Sequence, residues 1–217
     1  MDKNCHLRNM GNIQTDSLTA RIVAGMPDDK ARVILPAAFA VFLQYGFRRA
    51  SMQDIAEEAG MSRAALYLHF RNKDDIFRAL LEHYFRAAAD MVGEALAAHS
   101  DPVSALRAGF AAQMGDAAEA MMTSVHWEEL MSVKNGMSAE VIRRGEAGLM
   151  RAYADWLVIG EATGQVDLSR FAGGPDALSQ TLVGALSALK HAHAEWSETV
   201  LARDHLAVAF GRALEPR

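Results

Sequence analysis

Residues 46–73, GFRRASMQDIAEEAGMSRAALYLHFRNK, contain the signals that decide the fold. Ser51 and Ser62 each stand at the N-cap position of a short helix, where a serine side chain can accept a hydrogen bond from the first turn. The apolar pattern predicts these helices over 52–59 and 63–70, with a glycine-containing turn between them. Two short helices joined in this way form a helix-turn-helix pattern.

Helical periodicity continues on both sides of this stretch. Apolar residues recur at three-and-four spacing from Asp28 to Tyr45, which predicts a first helix ended by Gly46, and Pro36 indicates a kink or a later start. Further on, the pattern predicts a long helix over 73–98 and helices near 103–121, 124–133, 138–163, 176–195 and 197–214. No strand alternation or internal repeat interrupts them in the sequence, so we expect an all-α fold.

The chain divides into three expected parts. Residues 28–75 are predicted to form an N-terminal three-helix helix-turn-helix domain, and residues 76–217 a larger helical domain. Residues 1–27 lack a sustained helical period, so we expect a flexible N-terminal arm. Two interpretations of its basic residues are open, a solvated tail or contacts to DNA (Lys3, Arg8 and Arg21). Met26 is an alternative translation start, which mass spectrometry of the native protein would identify.

Composition restricts the class of protein. The 217 residues are 51% hydrophobic, which is enough for a buried core. The single cysteine, Cys5, excludes an internal disulfide and a zinc site built on cysteine pairs, and it fits a reducing cytoplasm. No apolar run reaches the roughly 18 to 20 residues of a membrane span, and no signal-peptide segment is evident. We therefore expect a cytoplasmic protein with no membrane contact.

Charge is distributed unevenly along the chain. The net charge is −5, yet residues 1–86 carry 12 Lys and Arg against 10 Asp and Glu, whereas residues 87–217 carry 10 against 17. Phosphate contacts require local positive charge. The asymmetry leaves nucleic-acid binding open for the first part and disfavours it for the second.

The second short helix carries the candidate reading residues. A helix-turn-helix presents the N-terminal side chains of its second helix to base edges in the major groove. Arg63 leads that helix, where its guanidinium can donate two hydrogen bonds to a guanine; a phosphate contact or a solvated side chain are the other interpretations. Ala64 and Ala65 can approach the DNA backbone or a thymine methyl group. Candidate phosphate donors follow them (Tyr67, His69 and Lys73).

Four short motifs carry a family resemblance: Gly46-Phe47, Ser51-Met-Gln-Asp-Ile-Ala, Ala59-Gly-Met-Ser and Leu66-Tyr-Leu-His-Phe-Arg-Asn-Lys. Over about residues 30–80 the chain resembles the DNA-binding domain of the tetracycline-repressor (TetR) family, and the remainder is similar only in helix content and length. The resemblance implies that Ser51, Met52 and Gln53 meet the DNA backbone, that Arg63, Ala64 and Ala65 read bases, and that Tyr67, His69 and Lys73 contact phosphates. Ser51 stands where the family often has Thr, and Pro36 occupies a normally helical position.

The second domain concentrates aromatic and thioether side chains, which suit both apolar ligands and irregular cores. The residues predicted to line a pocket for a small apolar ligand of unknown identity are Phe110, Met114, Trp127, Met131, Met150 and Tyr153. His126, Glu128 and Glu129 are candidate polar anchors of that pocket, and solvent-facing or salt-bridged positions are the other interpretation.

The last two helices carry small and apolar residues in register. The predicted dimer interface consists of Leu178, Leu182, Ala185, Leu189, Val200, Ala207 and Phe210. The resemblance implies that these helices form a four-helix bundle with the same pair of a second copy, since small residues permit close contact. Packing within one subunit is the other interpretation.

The expected function is transcriptional regulation without catalysis. The sequence contains no Gly-rich phosphate loop, nucleophile elbow or His-Glu-x-x-His pair, so we expect no enzyme activity, no cofactor and no metal. The resemblance implies a homodimeric repressor that leaves a palindromic operator in double-stranded DNA when a small apolar ligand binds. Two alternatives are open: a ligand-free architectural or constitutive regulator, and an all-α enzyme that contains a similar substructure.

Overall fold

The computed structural model describes Gly25 and residues 29–137, 139–192 and 195–217. Apart from Gly25, the arm expected over residues 1–27 lies outside the described residues. The described residues form ten helices and no strand, which confirms the all-α prediction. The helices are α1 (Asp29–Tyr45), α2 (Met52–Glu58), α3 (Arg63–Tyr67), α4 (Lys73–Ala97), α5 (Pro102–Gln113), α6 (Asp116–Met122), α7 (Trp127–Met137), α8 (Ala139–Ala162), α9 (Gly174–Ala192) and α10 (Trp196–Leu214).

Helix α1 is continuous through Pro36, so the later start considered from the sequence does not occur. One face of the helix is buried in the core, with Ile34, Leu35, Ala38, Val41 and Phe42 at 2% exposure or less. Gly46 ends the helix with a φ of +76°, a left-handed conformation that glycine adopts without strain.

Helices α2 and α3 are short and begin at the predicted serine caps. The Ser51 hydroxyl accepts from the Asp54 N–H at 3.2 Å, while the Asp54 carboxylate accepts from the Ser51 N–H at 2.9 Å, so the two residues form a capping box. The Ser62 hydroxyl accepts from the Ala65 N–H at 3.1 Å. Helix α3 ends at Tyr67 rather than at the predicted Phe70, because the chain tightens into a turn there.

Helix α4 joins the N-terminal helices to the rest of the chain. Its first turn is capped by the side-chain oxygen of Asn72, which accepts from the Asp75 N–H at 2.8 Å. Phe77 then packs its ring against Phe42 and Phe47 at centroid distances of 5.7 and 5.4 Å. We refer to residues 29–72 as the helix-turn-helix unit and to residues 73–217 as the C-terminal region; one continuous apolar core runs through both.

The C-terminal region is a set of packed helices. Helix α4 packs against α5 and α8, α5 packs against α10, and α8 packs against α9. The single helix predicted over 103–121 is in fact two, α5 and α6, because the chain leaves the helical conformation at Met114 and Gly115. None of the described helices has the length and the apolar composition that a membrane span requires.

Candidate functional site

Helix α3 presents two of the predicted reading residues side by side. Arg63 and Tyr67 lie one turn apart, and a terminal nitrogen of the Arg63 guanidinium donates to the Tyr67 hydroxyl at 3.3 Å. The guanidinium carbon also lies 5.5 Å from the centre of the Tyr67 ring. Both side chains are exposed, as is Ala64, whereas Ala65 is half-buried. Leu66, on the opposite face, is fully buried and fixes the rotation of the helix.

The start of α2 offers fewer side chains than the resemblance implies. Gln53 is exposed and donates to the Glu57 carboxylate at 2.7 Å. The Ser51 hydroxyl is exposed but is engaged in its capping box. Met52 is 8% exposed and its side chain packs into the core, which leaves its main chain as the group that can meet the DNA backbone.

Lys73 has a different role from the predicted phosphate contact. Its ammonium group donates to three main-chain carbonyls in the turn before α2, those of Phe47, Arg48 and Ala50, at 2.7, 3.0 and 2.8 Å. It also lies 4.8 Å from the centre of the Phe47 ring. An ammonium has three donors, so this geometry uses all of them. Lys73 therefore holds the turn in place and is no longer proposed as a DNA contact. His69 is exposed just after α3 and remains a proposed contact.

Three further exposed arginines, not among the predicted site residues, lie in the turns before α2 and after α3. Arg48 and Arg49 are exposed in the turn that leads into α2, and neither guanidinium has an ion-pair partner within the described residues. The Arg71 side chain is 93% exposed and lies 4.0 Å from the Asp75 carboxylate. The adjacent arginines just before the Ser51 cap were visible as a local charge cluster, which is the signal that could have identified them.

Several predicted ligand residues meet in a buried polar group between α4, α5 and α8. The rings of Phe110 and Tyr153 lie 5.9 Å apart, and both residues are at most 1% exposed. The Tyr153 hydroxyl donates to the side-chain oxygen of Gln113 at 2.9 Å, and the Tyr84 hydroxyl donates to the Gln113 carbonyl at 3.1 Å. Burial raises the pKa of Tyr84 to about 12 and raises that of Tyr153 well above its ordinary value, so both phenols stay protonated.

The other predicted ligand residues are spread more widely. Met114 is fully buried in the same core, and Met150 packs against it. Met131 is 6% exposed and Trp127 half-buried on α7, but neither belongs to that core cluster. A surface groove of about 650 Å³, bordered among others by Trp156, contains none of the predicted ligand residues.

The candidate polar anchors of the pocket lie elsewhere. His126 Nε2 is 3.3 Å from the Gln44 carbonyl, and the Glu129 carboxylate accepts from the Arg48 N–H at 2.6 Å. Both side chains therefore contact the helix-turn-helix unit instead of an apolar pocket, and Glu128 is exposed. These positions fit the second interpretation, since Glu128 faces solvent and His126 Nδ1 lies 3.9 Å from the Glu129 carboxylate.

The predicted dimer residues divide into two groups. Leu178, Leu182 and Ala207 are at most 4% exposed in the single chain, because α9 packs on α8 and α10 packs on α5. These three residues therefore pack within one subunit, which is the other interpretation given above. The other four are half-buried (Ala185, Leu189, Val200 and Phe210). Leu201, on α10, is 58% exposed.

A family profile matches the N-terminal part of the chain. The profile of the family described as bacterial regulatory proteins, tetR family, matches residues 34–80. The chain is 35% identical over 81 residues to the HTH-type transcriptional activator FasR of Mycolicibacterium smegmatis, a match that covers 37% of each protein. It is 37% identical over 71 residues to the HTH-type transcriptional repressor Rv1474c of Mycobacterium tuberculosis, which covers 33% of each. The chain spans about a third of the length of these curated relatives.

Solved structures resemble the whole chain, but at low identity. SmeT, the repressor of the Stenotrophomonas maltophilia multidrug efflux pump SmeDEF, superposes with a TM-score of 0.62 at 21% identity, covering 87% of this chain and 93% of SmeT. SmeT has also been solved in complex with triclosan. At this level of identity the likeness shows a common fold.

Proposed function

The chain belongs to the tetR family of bacterial regulatory proteins, and on that premise we propose that it is a transcriptional regulator that binds double-stranded DNA in a sequence-specific way. The observation that carries the proposal is the arrangement of α3. Its buried Leu66 and capped Ser62 N-terminus fix the helix, while Arg63 and Tyr67 are presented together on the exposed face. A rigid short helix with an arginine at its start suits the major groove.

The proposed protein–DNA contacts are of two types. Arg63 reads a base edge with support from Ala64 and Ala65, and the groups proposed to contact the DNA backbone are the side chains of Ser51, Gln53, Tyr67 and His69 and the main chain of Met52. The exposed pair Arg48 and Arg49 adds positive charge beside them. In the division that we propose, residues 28–75 bind DNA and residues 76–217 bind ligand and dimerise.

A second copy completes the proposed complex. Two helix-turn-helix units about 34 to 36 Å apart would enter successive major grooves of a palindromic operator. The faces of α9 and α10 turned away from the chain's own core form the proposed homodimer contact, with the half-buried Ala185, Leu189, Val200 and Phe210 at its edge.

Repression relieved by a small apolar ligand is the proposed output. Two relatives named as repressors, Rv1474c and SmeT, support this direction, and the SmeT–triclosan complex supports a small apolar ligand. The proposed site is the buried group of Phe110, Met114 and Tyr153, where Gln113 supplies polar groups within an apolar core. A ligand acts only through its different affinities for the DNA-competent and incompetent states, so operator DNA must weaken ligand binding by the same factor.

The test is a fluorescence-anisotropy titration of the purified protein against its own upstream intergenic DNA and a random operator library, at two salt concentrations. We expect tight, salt-sensitive binding, because phosphate contacts release counterions. Arg63→Ala should weaken operator binding by at least roughly tenfold, since a bidentate base contact contributes about 1–3 kcal/mol at each half-site. Arg143→Ala, which removes an exposed arginine from α8, serves as the matched control and should bind like the unaltered protein. Absence of binding to every DNA in the library would overturn the proposal.

A further inference from the structure

A short segment of the C-terminal region, residues 124–129, lies against the end of α1. The Ser124 hydroxyl donates to the Leu43 carbonyl at 3.1 Å, and His126 Nε2 lies 3.3 Å from the Gln44 carbonyl. The Glu129 carboxylate accepts from the Arg48 N–H at 2.6 Å. These contacts join residues about 80 positions apart in the sequence, so they form a second connection between the two parts of the molecule besides α4.

The two parts of the molecule approach each other closely at Gly46. A Cβ atom on Gly46 would lie 2.9 Å from His126 Nδ1 and would overlap the Glu129 carboxylate. The φ of +76° at Gly46 disfavours any other residue for an independent reason. Glu129 and His126 are 22% and 24% exposed, so the contact is partly shielded from water.

The peptide units of this turn are held from two directions. Lys73 binds the Arg48 carbonyl from the side of α4, and Glu129 binds the Arg48 N–H from the side of α7. The Arg48 and Arg49 side chains remain exposed and without ion pairs within the described residues, directly before the Ser51 cap of α2. A carboxylate that fixes the main chain here also fixes the points from which the Arg48 and Arg49 side chains extend.

We propose that Glu129 is a positioning residue for DNA binding, whose carboxylate holds the Arg48 main chain so that Arg48 and Arg49 engage DNA phosphates. The inference rests on the proposed function and extends it to residues that lie outside the predicted reading surface. Leu130, the next residue, is 1% exposed and belongs to the apolar core, so this turn of α7 is anchored at the point from which the Glu129 carboxylate reaches Arg48.

The test compares three variants in the full-length protein: Glu129→Ala, Glu129→Gln and, as matched control, Glu128→Ala on the adjacent exposed position. The first readout is hydrogen exchange at the Arg48 amide without DNA. Loss of its acceptor should accelerate exchange at least roughly tenfold in Glu129→Ala, whereas glutamine keeps an oxygen acceptor and should preserve most of the protection.

The second readout is the slope of log affinity against log salt concentration for operator DNA. Each phosphate contact contributes roughly 0.9 to the slope, so Glu129→Ala should reduce it by about one to two in a dimer. A general loss of stability lowers affinity without removing phosphate contacts, so it leaves the slope unchanged. In an Arg48→Ala/Arg49→Ala background, Glu129→Ala should change the slope no further.

The outcomes separate this inference from the proposed function. Salt-sensitive operator binding with an unchanged slope in folded Glu129→Ala overturns the inference and leaves the DNA-binding proposal in place. Unchanged protection of the Arg48 amide in that variant overturns it as well. If the unaltered protein binds no DNA in the library, the proposed function fails and the inference fails with it.

Discussion

The helix-turn-helix unit and the C-terminal region are stabilised in different ways. Within the unit, the short helices α2 and α3 depend on polar contacts with the main chain, namely the Ser51 and Ser62 caps and the three carbonyls bound by Lys73. In the C-terminal region, helices meet at closely packed positions. At Gly211 on α10, a Cβ atom would lie 2.6 Å from the Cα atom of Val103 on α5.

This difference explains why the two parts resemble known proteins to different degrees. Helix caps and a left-handed glycine at a helix end need particular residue types at particular spacings, so they leave a recognisable sequence. Helix packing accepts many combinations of apolar residues of similar volume. The family profile accordingly ends at residue 80, whereas the structural likeness to SmeT continues over 87% of the chain at 21% identity.

The largest effect is expected where two helices of the C-terminal region touch. Gly211→Ala should lower the free energy of unfolding by about 3 kcal/mol, because the new methyl group meets the main chain of Val103, which has no rotamer to change. Gly93→Ala on α4 is the matched control. Nothing lies within 4 Å of its added Cβ, so helix propensity should stabilise it by up to about 1 kcal/mol. Urea unfolding at one protein concentration measures both, and equal stability of the two variants would contradict the close approach of α5 and α10.

A smaller but still large effect is expected from the polar contacts of the helix-turn-helix unit. Lys73→Met keeps the apolar stem and removes the ammonium that binds the carbonyls of Phe47, Arg48 and Ala50, so stability should fall by about 2–3 kcal/mol. Arg71→Met, at a side chain that is 93% exposed, should change stability by less than about 0.5 kcal/mol. Thermal unfolding distinguishes a role of Lys73 in holding the turn from a role in contacting a DNA phosphate. A Lys73→Met variant of unchanged stability that binds DNA weakly would restore the phosphate contact implied by the family resemblance.

The buried polar group of the C-terminal region tests whether polar contacts matter there too. Tyr153→Phe removes the hydroxyl that donates to the Gln113 side-chain oxygen and leaves that oxygen without its partner. Gln113 is buried, with 3% of the residue exposed. The expected cost is about 1–2 kcal/mol of unfolding free energy. Tyr45→Phe, at a tyrosine that is 41% exposed, is the control and should be neutral within about 0.5 kcal/mol. A neutral Tyr153→Phe would mean that packing alone stabilises this core.

Much of the fold was predictable because its signals are local. The serine caps, Gly46 and the apolar periodicity located α1, α2 and α4 to within one or two residues of their observed ends. The break between α5 and α6 was missed, because Gly115 alone does not interrupt a helical pattern of apolar residues. The exposure of Arg63 and Tyr67 followed from the position of Leu66 on the same short helix.

The long-range contacts were not predictable from one sequence. The Lys73 contact with Phe47 spans 26 residues and the Glu129 contact with Arg48 spans 81, and no local pattern records either partner. The burial of Met52 likewise depends on the angle at which α2 packs on α1. The faces of α9 and α10 were misassigned at Leu178, Leu182 and Ala207 because a residue that packs on its own subunit has the same periodicity as one that packs on a partner.

The smallest effect is expected at the ion pair between Arg107 on α5 and Asp204 on α10, whose atoms lie 2.6 Å apart but whose side chains are 50% and 42% exposed. The hydrogen bond from Arg107 lowers the pKa of Asp204 below its ordinary value of 3.8. A carboxylate with a lowered pKa stabilises the folded state above its unfolded pKa, and this contribution is lost as the pH falls through the folded pKa. Asp204→Asn should therefore cost less than about 1 kcal/mol at pH 7, and the difference from the unaltered protein should shrink once the pH falls below 3.8 and vanish below the lowered pKa of the folded state. Asp155→Asn, at an exposed carboxylate of α8 without an ion pair in the described residues, is the control for urea titrations over this range. A loss at pH 7 comparable to that of Lys73→Met would show that exposed polar contacts hold the C-terminal region as firmly as the partly buried ones hold the helix-turn-helix unit.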